Sequence, residues 1–314
     1  MDITEAVVVG TGTMGPGIAA ILALAGARTT IVSRSATGAM RAVFTAQALL
    51  RQLEESGLAA AEGMNEAVTR LFGADDLAAP AASAGLVIES IVEDMSLKKE
   101  LFARLDQAAA PETILASNTS GLSITEIARA TSRPNRVLTA HFWNPPHLMP
   151  LVEIVMGENT EEAVAVRMVA ILRELGKVPV LLRKDRRGQL GNRMQAALIR
   201  EAISIVEQGI ASVEDVDRAV RLGFGLRMPM WGPFQHMDAV GLDLALTIQD
   251  YVLPDLNNQP RASQLLRDKV ARGELGQKTG RGFYDAATHD LEADKKARDA
   301  FLIEFLRARR GQLK

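Results

Sequence analysis

The segment that most restricts the fold of this chain is Gly10-Thr11-Gly12-Thr13-Met14-Gly15. It follows the apolar, β-branched run Ala6–Val9 and opens an Ala/Leu/Ile-rich stretch that runs to about Ala25, where Gly26 provides a stop. A buried strand, a tight turn and a helix in that order form the first βα unit of a doubly wound parallel sheet. Gly10 makes the turn, Gly12 lets a pyrophosphate approach the backbone, and Gly15 lets helix and strand pack closely. The free amides and dipole of the helix start favour the diphosphate charge. Gly10, Gly12, Thr13, Met14 and Gly15 are therefore expected to bind a dinucleotide; a Gly-rich turn without a ligand is the plainer alternative.

Arg28 to Val32 reads as the second strand. A NAD enzyme usually places an Asp or Glu at its end for the ribose 2′-hydroxyl, about 20 residues past the glycines. Here Ser33-Arg34-Ser35 stands there instead. A hydroxyl beside a guanidinium suits a 2′-phosphate, which a carboxylate would repel. NADP is accordingly the expected cofactor and NAD the alternative, in which Arg34 stacks over adenine or faces solvent.

Helical patterns follow over about Ala39–Ser56 and Glu62–Phe72, then a strand at Leu86–Ser90, a helix at Leu97–Ala109 and a strand at Ile114–Ala116. Ser123-x-x-Glu126 has the form of a capping box opening a short helix. Polar side chains at the carboxyl ends of parallel strands lie where ligands bind, and Glu93, Asn118, Ser120 and His141 all hold such positions. His141 also begins the stretch His141-Phe-Trp-Asn144-Pro-Pro-His-Leu-Met-Pro-Leu-Val-Glu153, with apolar runs on both sides. A strand, a stiff loop and a returning strand would bring Glu153 back beside His141. An imidazole held by a buried carboxylate keeps one tautomer and gains basicity, which suits a general acid/base; the alternative is a satisfied core histidine.

After a strand at Lys177–Leu182 and the charged break Arg183–Gly188, the pattern turns wholly helical. The expected fold is an α/β Rossmann-type doubly wound sheet, residues 1–184, followed by an all-α domain, residues 185–314, for substrate binding and dimerisation. The basic end, Arg307 to Lys314, reads as a solvated helix terminus. With 36 basic and 38 acidic residues and a net charge of −2, the chain lacks an electrostatic footprint for nucleic acid. The absence of cysteine excludes disulfides and thiolate chemistry and fits a reducing cytoplasm. Four scattered histidines make no metal motif. The apolar stretch Ile18–Ala27 is too short to span a bilayer, and the N-terminus lacks the basic region of a signal peptide, so a cytoplasmic protein is expected.

Over almost its whole length the chain resembles the 3-hydroxyacyl-CoA dehydrogenase family. The stretches that carry the resemblance are GTGTMGPGIA, IVEDMSLKKELF, ASNTSGLSI, HFWNPPHLMPLVEI, the Asn192-Arg193 helix start, GPFQHMDAVGLD and LGQKTGRGFY. The resemblance implies His141 as general base, Glu153 as its orienting carboxylate, and Ser120 and Asn192 as ligands of the substrate oxygen. It also implies that Glu93, Lys98, Ser120, Asn144 and Lys278 surround the cofactor.

Three departures bear on the substrate. The acyl-CoA enzymes carry a lysine-rich helical hairpin after the second strand, whereas residues 36–73 hold no lysine, three arginines and four glutamates. The segment before Gly232-Pro-Phe is longer and contains Arg227, Met228, Met230 and Trp231. In this the chain is similar to the branch that includes L-gulonate 3-dehydrogenase (lambda-crystallin), whose substrates are small free acids. Arg227 would then grip a carboxylate, or else serve in a surface ion pair, and Trp231 would line the substrate. Finally, Arg187-Gly-Gln-Leu190 replaces the family's Pro-Gly-Phe ahead of Asn192.

The expected reaction is hydride exchange between a secondary alcohol and its ketone, on a 3-hydroxy acid or another small hydroxy compound. A short-chain 3-hydroxyacyl-CoA is the second substrate class, and a non-catalytic, crystallin-like dinucleotide-binding protein is the reading from another class. Met228, Met230, Trp231 and Phe234 point to a homodimer, or else to burial within the helical domain itself.

Overall fold

The computed structural model describes residues 2–309 and Gly311. Two compact units divide it: Met1–Asn192 with Lys296–Lys314, and Arg193–Lys295.

The first unit is built on one eight-stranded sheet. Its strands are β1 (Glu5–Val9), β2 (Arg28–Val32), β3 (Leu71–Ala74), β4 (Leu86–Glu89), β5 (Ile114–Ser117), β6 (Val137–Phe142), β7 (Leu151–Met156) and β8 (Val178–Leu182), in the spatial order 3-2-1-4-5-6-7-8. All neighbours pair in parallel except β6 and β7, which run antiparallel. The order reverses between β1 and β4, the switch point at which such sheets bind ligands.

Alternation along the strands sends side chains to two separate cores. Val8, Leu86 and Ile88 join one, with α1 (Gly15–Leu24), α2 (Ala36–Glu55) and α3 (Met64–Thr69). Val7, Val9 and Val87 join the other, with α4 (Ala78–Ser83), α5 (Met95–Ala108) and α6 (Ile124–Ala128). Beyond them α7 (Glu162–Glu174) covers the first face through Ala165, Met168, Ile171 and Leu172. Helices on both faces bury β1, β4 and β5, which explains their continuous apolar runs.

One expectation fails here. Leu71 and Phe72 belong to the edge strand β3 and not to the helix of residues 62–72, which ends as α3 at Thr69. The apolar spacing that continued a helical pattern is that of a four-residue strand with one face exposed.

Just before the amino end of β6, Arg136 is almost fully buried with Asp106 of α5, and the two lie 2.8 Å apart. Asp106 also accepts bonds from the Ser132 amide, the Ser132 hydroxyl and Arg133 Nε. Burial opposes its charge, but Ser132 and Arg136 outweigh burial and hold its pKa at about 2. A depressed carboxyl stabilises the fold above its unfolded pKa of about 3.9, and this stability, about 2 kcal/mol, is lost as pH falls toward 2. Asp106→Asn leaves Arg136 charged and unpaired, so a loss of about 3 kcal/mol is expected at neutral pH. Thermal unfolding of the two proteins checks this; equal midpoints would show that the pair contributes nothing.

In the second unit, α8 (Gly191–Glu207) continues from the first and is followed by α9 (Val213–Leu222), α10 (Phe224–Arg227), α11 (Pro233–Val240), α12 (Leu242–Val252) and α13 (Gln264–Ala271). The last helix, α14 (Leu291–Ala308), belongs to this unit only up to Lys295. It accounts for Arg307 at the basic end; Arg310 and residues 312–314 lie outside the described residues. Among the described residues of this unit Ser204 alone is buried. Met228, Met230, Trp231 and Phe234 are exposed, so burial in the unit's own core does not account for them.

Candidate active site

The Gly-rich turn sits at the switch point, with β1 ending at Val9 beside Glu89 of β4. Gly10 has φ +127°, and a Cβ there would lie 2.3 Å from the Ser90 carbonyl oxygen, so no other residue fits. A Cβ on Gly15 would lie 2.0 Å from the Gly10 oxygen, while one on Gly12 would meet nothing within 4 Å. The backbone at Gly12 thus faces open space. The start of α1 has neither a side-chain cap nor an acidic residue in its first turn, which leaves its amides to an anion. These features fit the diphosphate of a dinucleotide.

At the end of β2, Ser35 accepts a 3.2 Å bond from the Gly38 amide and so caps α2. Ser33 is partly exposed and Arg34 exposed beside it.

A polar rim runs along the carboxyl ends of β4 and β5. Lys98, 1% exposed, bonds Glu89 at 2.5 Å and lies 3.4 Å from Glu93. Glu89 also accepts the Ile91 amide and the Ser117 hydroxyl. Glu93 holds the loop after β5, accepting from the Thr119 hydroxyl at 2.5 Å and the Ser120 and Gly121 amides at 3.0 and 3.2 Å. Asn118 is buried and engaged with Ser90 and with the Phe142 amide. Ser120 and Asn144 are exposed.

The antiparallel pairing of β6 and β7 puts His141 and Glu153 in register. Their side chains meet at 2.8 Å from Nδ1 to Oε2, with His141 4% exposed and Glu153 fully buried. The same Oε2 accepts the Trp143 indole N–H at 3.1 Å. Oε1 accepts the Leu190 and Gly191 amides at 3.0 and 2.9 Å, where α8 begins. Four donors thus surround one carboxylate. Burial works against its charge, but the His141 bond and the two amides prevail and hold its pKa below the usual carboxylate value. An ionised acceptor assigns the hydrogen to Nδ1, leaving Nε2 of His141 to exchange a proton.

Asn192 donates from its amide to the Ser120 carbonyl at 2.8 Å, so these two residues lie together at the start of α8. The departure just ahead of Asn192 is accommodated by Gln189, which takes a positive φ of 53° and donates to the Thr119 carbonyl at 2.7 Å. Arg227, Trp231 and Lys278 are exposed residues of the second unit.

Several contributors escape a reading of the sequence. Trp143 and the Leu190 and Gly191 amides share Glu153, and Glu89 neutralises Lys98. Lys177, buried with its pKa pushed down to about 7 by burial, donates to the Pro146 and Met149 carbonyls and pins the loop between β6 and β7. An indole beside a catalytic-type histidine was the one visible signal; backbone donors leave none.

Known proteins resemble this chain along nearly its whole length. Residues 5–186 match the 3-hydroxyacyl-CoA dehydrogenase NAD binding domain, and residues 188–286 match the 3-hydroxyacyl-CoA dehydrogenase C-terminal domain. The 5-formyl-3-hydroxy-2-methylpyridine 4-carboxylate 5-dehydrogenase of Mesorhizobium japonicum is 30% identical over 97% of this chain and 98% of its own length. The probable 3-hydroxybutyryl-CoA dehydrogenase of Bacillus subtilis is 38% identical over 91% of this chain and 98% of its own. Among solved structures, that of the pyridine-carboxylate 5-dehydrogenase, described as an NAD+-dependent dismutase, superimposes with a TM-score of 0.91 at 30% identity, covering 98% of this chain and 99% of that one. The (S)-3-hydroxybutyryl-CoA dehydrogenase of Ralstonia eutropha gives 0.75 at 33% identity, covering 90% and 99%. With both family domains matched in full sequence order over a Rossmann-type sheet and a helical second unit, the chain belongs to the 3-hydroxyacyl-CoA dehydrogenase family and is an NAD-dependent dehydrogenase of it.

Proposed function

We propose that this enzyme interconverts a hydroxyl and a carbonyl group on a small free acid, with His141 as the acid/base. The observation that carries the reading is Glu153, whose carboxylate joins His141 to the turn that delivers Asn192. In oxidation Nε2 of His141 takes the hydroxyl proton, and Glu153 stabilises the imidazolium that results. Ser120 and Asn192, already joined at 2.8 Å, hold the substrate oxygen and polarise the carbonyl as it forms. Gly10, Gly12, Thr13, Met14 and Gly15 hold the dinucleotide, with Ser33, Arg34, Glu93, Asn144 and Lys278 around it. When bound, the nicotinamide accepts or returns the hydride. Lys98 and Asn118, both engaged within the protein, act by fixing Glu93 and the end of β6.

Two observations favour a small acid over an acyl-CoA. The helical pair α2 and α3 offers no lysine for CoA phosphates, and Arg70 is tied to Glu66 at 2.7 Å. The pyridine-carboxylate relative also matches more of the chain, with the higher TM-score, than the hydroxybutyryl-CoA enzymes. Arg227 is the residue we assign to the carboxylate, with Trp231 beside it on the substrate.

The second unit's exposed apolar side chains, among them Phe234 at 75% and Leu246 at 62%, support a homodimer, since a helical unit of this size needs a partner to bury them. Among the described residues no helix is long and apolar enough to cross a membrane. We assign the protein to the cytoplasm on its lack of cysteine.

The reading is tested by following NADH and NADPH oxidation with a panel of small oxo acids and aldehyde acids beside acetoacetyl-CoA. Turnover of the free acids at least about tenfold above the thioester in kcat/KM is expected. Preference for acetoacetyl-CoA would restore the acyl-CoA reading, and no turnover of any member with either cofactor would support the non-catalytic one. The relatives' use of NAD makes NADH the expected donor, while Ser33 and Arg34 are expected to admit NADPH. Arg34→Ala should then weaken NADPH binding about tenfold or more and leave NADH unchanged; equal effects on both would make Arg34 a bystander.

A further inference from the structure

We infer that Trp143 is a positioning residue that sets the strength of the His141–Glu153 bond and seats the start of α8. The inference rests on the proposed role of that pair. Trp143 follows His141 by two residues, and its indole N–H and His141 Nδ1 converge on the single oxygen Oε2, at 3.1 and 2.8 Å. An acceptor shared between two donors gives less of its charge to each. The rings of His141 and Trp143 lie with centroids 5.4 Å apart, tilted by 50°. On its other side the indole presses on the backbone of α8. A Cβ built on Gly191 would lie 2.4 Å from Cζ2, so the ring and the glycine define each other's position. That glycine donates to Oε1 of the same carboxylate and immediately precedes Asn192. One side chain therefore touches the orienting carboxylate, lies tilted beside the base, and supports the segment that carries the oxygen ligand.

The groups that face the pair are few. His141 on β6 is the titratable partner of Glu153, β8 places Val180 in register with it, and α8 supplies the Leu190 and Gly191 amides. The charged cluster on the rim is Glu93 with Lys98 and Glu89, and Glu93 accepts the Ser120 amide.

Trp143→Phe removes the N–H while keeping an aromatic ring of smaller size. Oε2 then accepts from His141 alone, the imidazolium is held more firmly, and in alcohol oxidation, where His141 must be neutral to take the proton, the acidic limb of the kcat/KM–pH profile moves to higher pH. In the proton spectrum the low-field Nδ1–H signal of His141, identified by its loss in His141→Ala, moves further downfield. Gly191→Ala serves as the second variant. It displaces the ring, and with it the indole N–H from Oε2, while keeping the indole itself, so KM for the substrate should rise while NADH binding is kept. An unmoved pH limb together with an unmoved Nδ1–H signal in Trp143→Phe overturns the proposal and leaves Trp143 as packing. If instead His141→Ala stays active while the Nδ1–H signal still moves, the bond sharing stands and the acid/base assignment of His141 is what fails.

Discussion

His141→Ala should lower kcat by about three orders of magnitude, within the range for loss of a positioned acid/base, while NADH binds as before. The argument is one of geometry. With Nδ1 committed to Glu153 at 2.8 Å, Nε2 is the nitrogen that exchanges the substrate proton, and alanine has nothing to replace it. His141 is 4% exposed at the end of β6, and the dinucleotide turn at Gly10–Gly15 follows β1, with β5 and β4 lying between. Removing the ring deletes the acid/base without disturbing that cradle. The measurement is steady-state turnover with the preferred acid, paired with fluorescence titration of NADH. Loss of both activities together would show that His141 supports the fold instead, and a kcat within tenfold of wild type would remove it from the chemistry.

Glu153→Gln is expected to have an effect of comparable size, a fall in kcat of about two to four orders of magnitude, by analogy with wrong-tautomer substitutions in other histidine-carboxylate pairs. The carboxylate accepts from four donors, two at each oxygen. An amide has one accepting oxygen. If that oxygen faces Leu190 and Gly191, the NH2 group faces Nδ1 and the indole N–H, and His141 must shift its hydrogen to Nε2, the wrong tautomer for a base. If it faces His141, two backbone amides lose their acceptor and the start of α8 loosens. Each unsatisfied buried donor costs about 1–3 kcal/mol, so a lower thermal midpoint should accompany the loss of rate. The pH dependence has a definite sign. Because the pKa of Glu153 lies below that of a free carboxyl, its contribution to stability is complete above about pH 4.3 and declines as the solution is acidified below that. Glu153→Gln should abolish that part of the acid sensitivity. Undiminished kcat would take Glu153 out of the mechanism.

How far this could be read from the residues depends on what each signal encodes. The apolar runs at 6–9, 86–89 and 114–117 are strands buried on both faces, and their composition leaves little choice. The twelve-residue interval between His141 and Glu153 could be read because a hairpin-like return restores register, as the antiparallel pair shows. Strand β3 was hidden because four residues at a sheet edge carry no period of their own, and Leu71 and Phe72 continue the spacing of the helix before them. At the rim, position at a strand end locates a residue without giving its direction. Lys98 and Asn118 turn inward to Glu89 and to the Phe142 amide, whereas Ser120 stays exposed. The most consequential omission was Trp143. A motif gives the order of His141 and Glu153, but that the Trp143 indole also donates to the carboxylate follows only from how the ring sits against Gly191.

The claim at the centre of this account is that His141 and Glu153 act as one catalytic unit. The direct measurement is a double-mutant cycle on kcat over His141→Ala, Glu153→Gln and the two combined. Residues that act together are not additive, so the double variant is expected to be no more than about tenfold slower than His141→Ala alone. If the two losses instead multiply to about five orders of magnitude or more, each residue acts independently, and the pair, though 2.8 Å apart, is not the engine of the reaction.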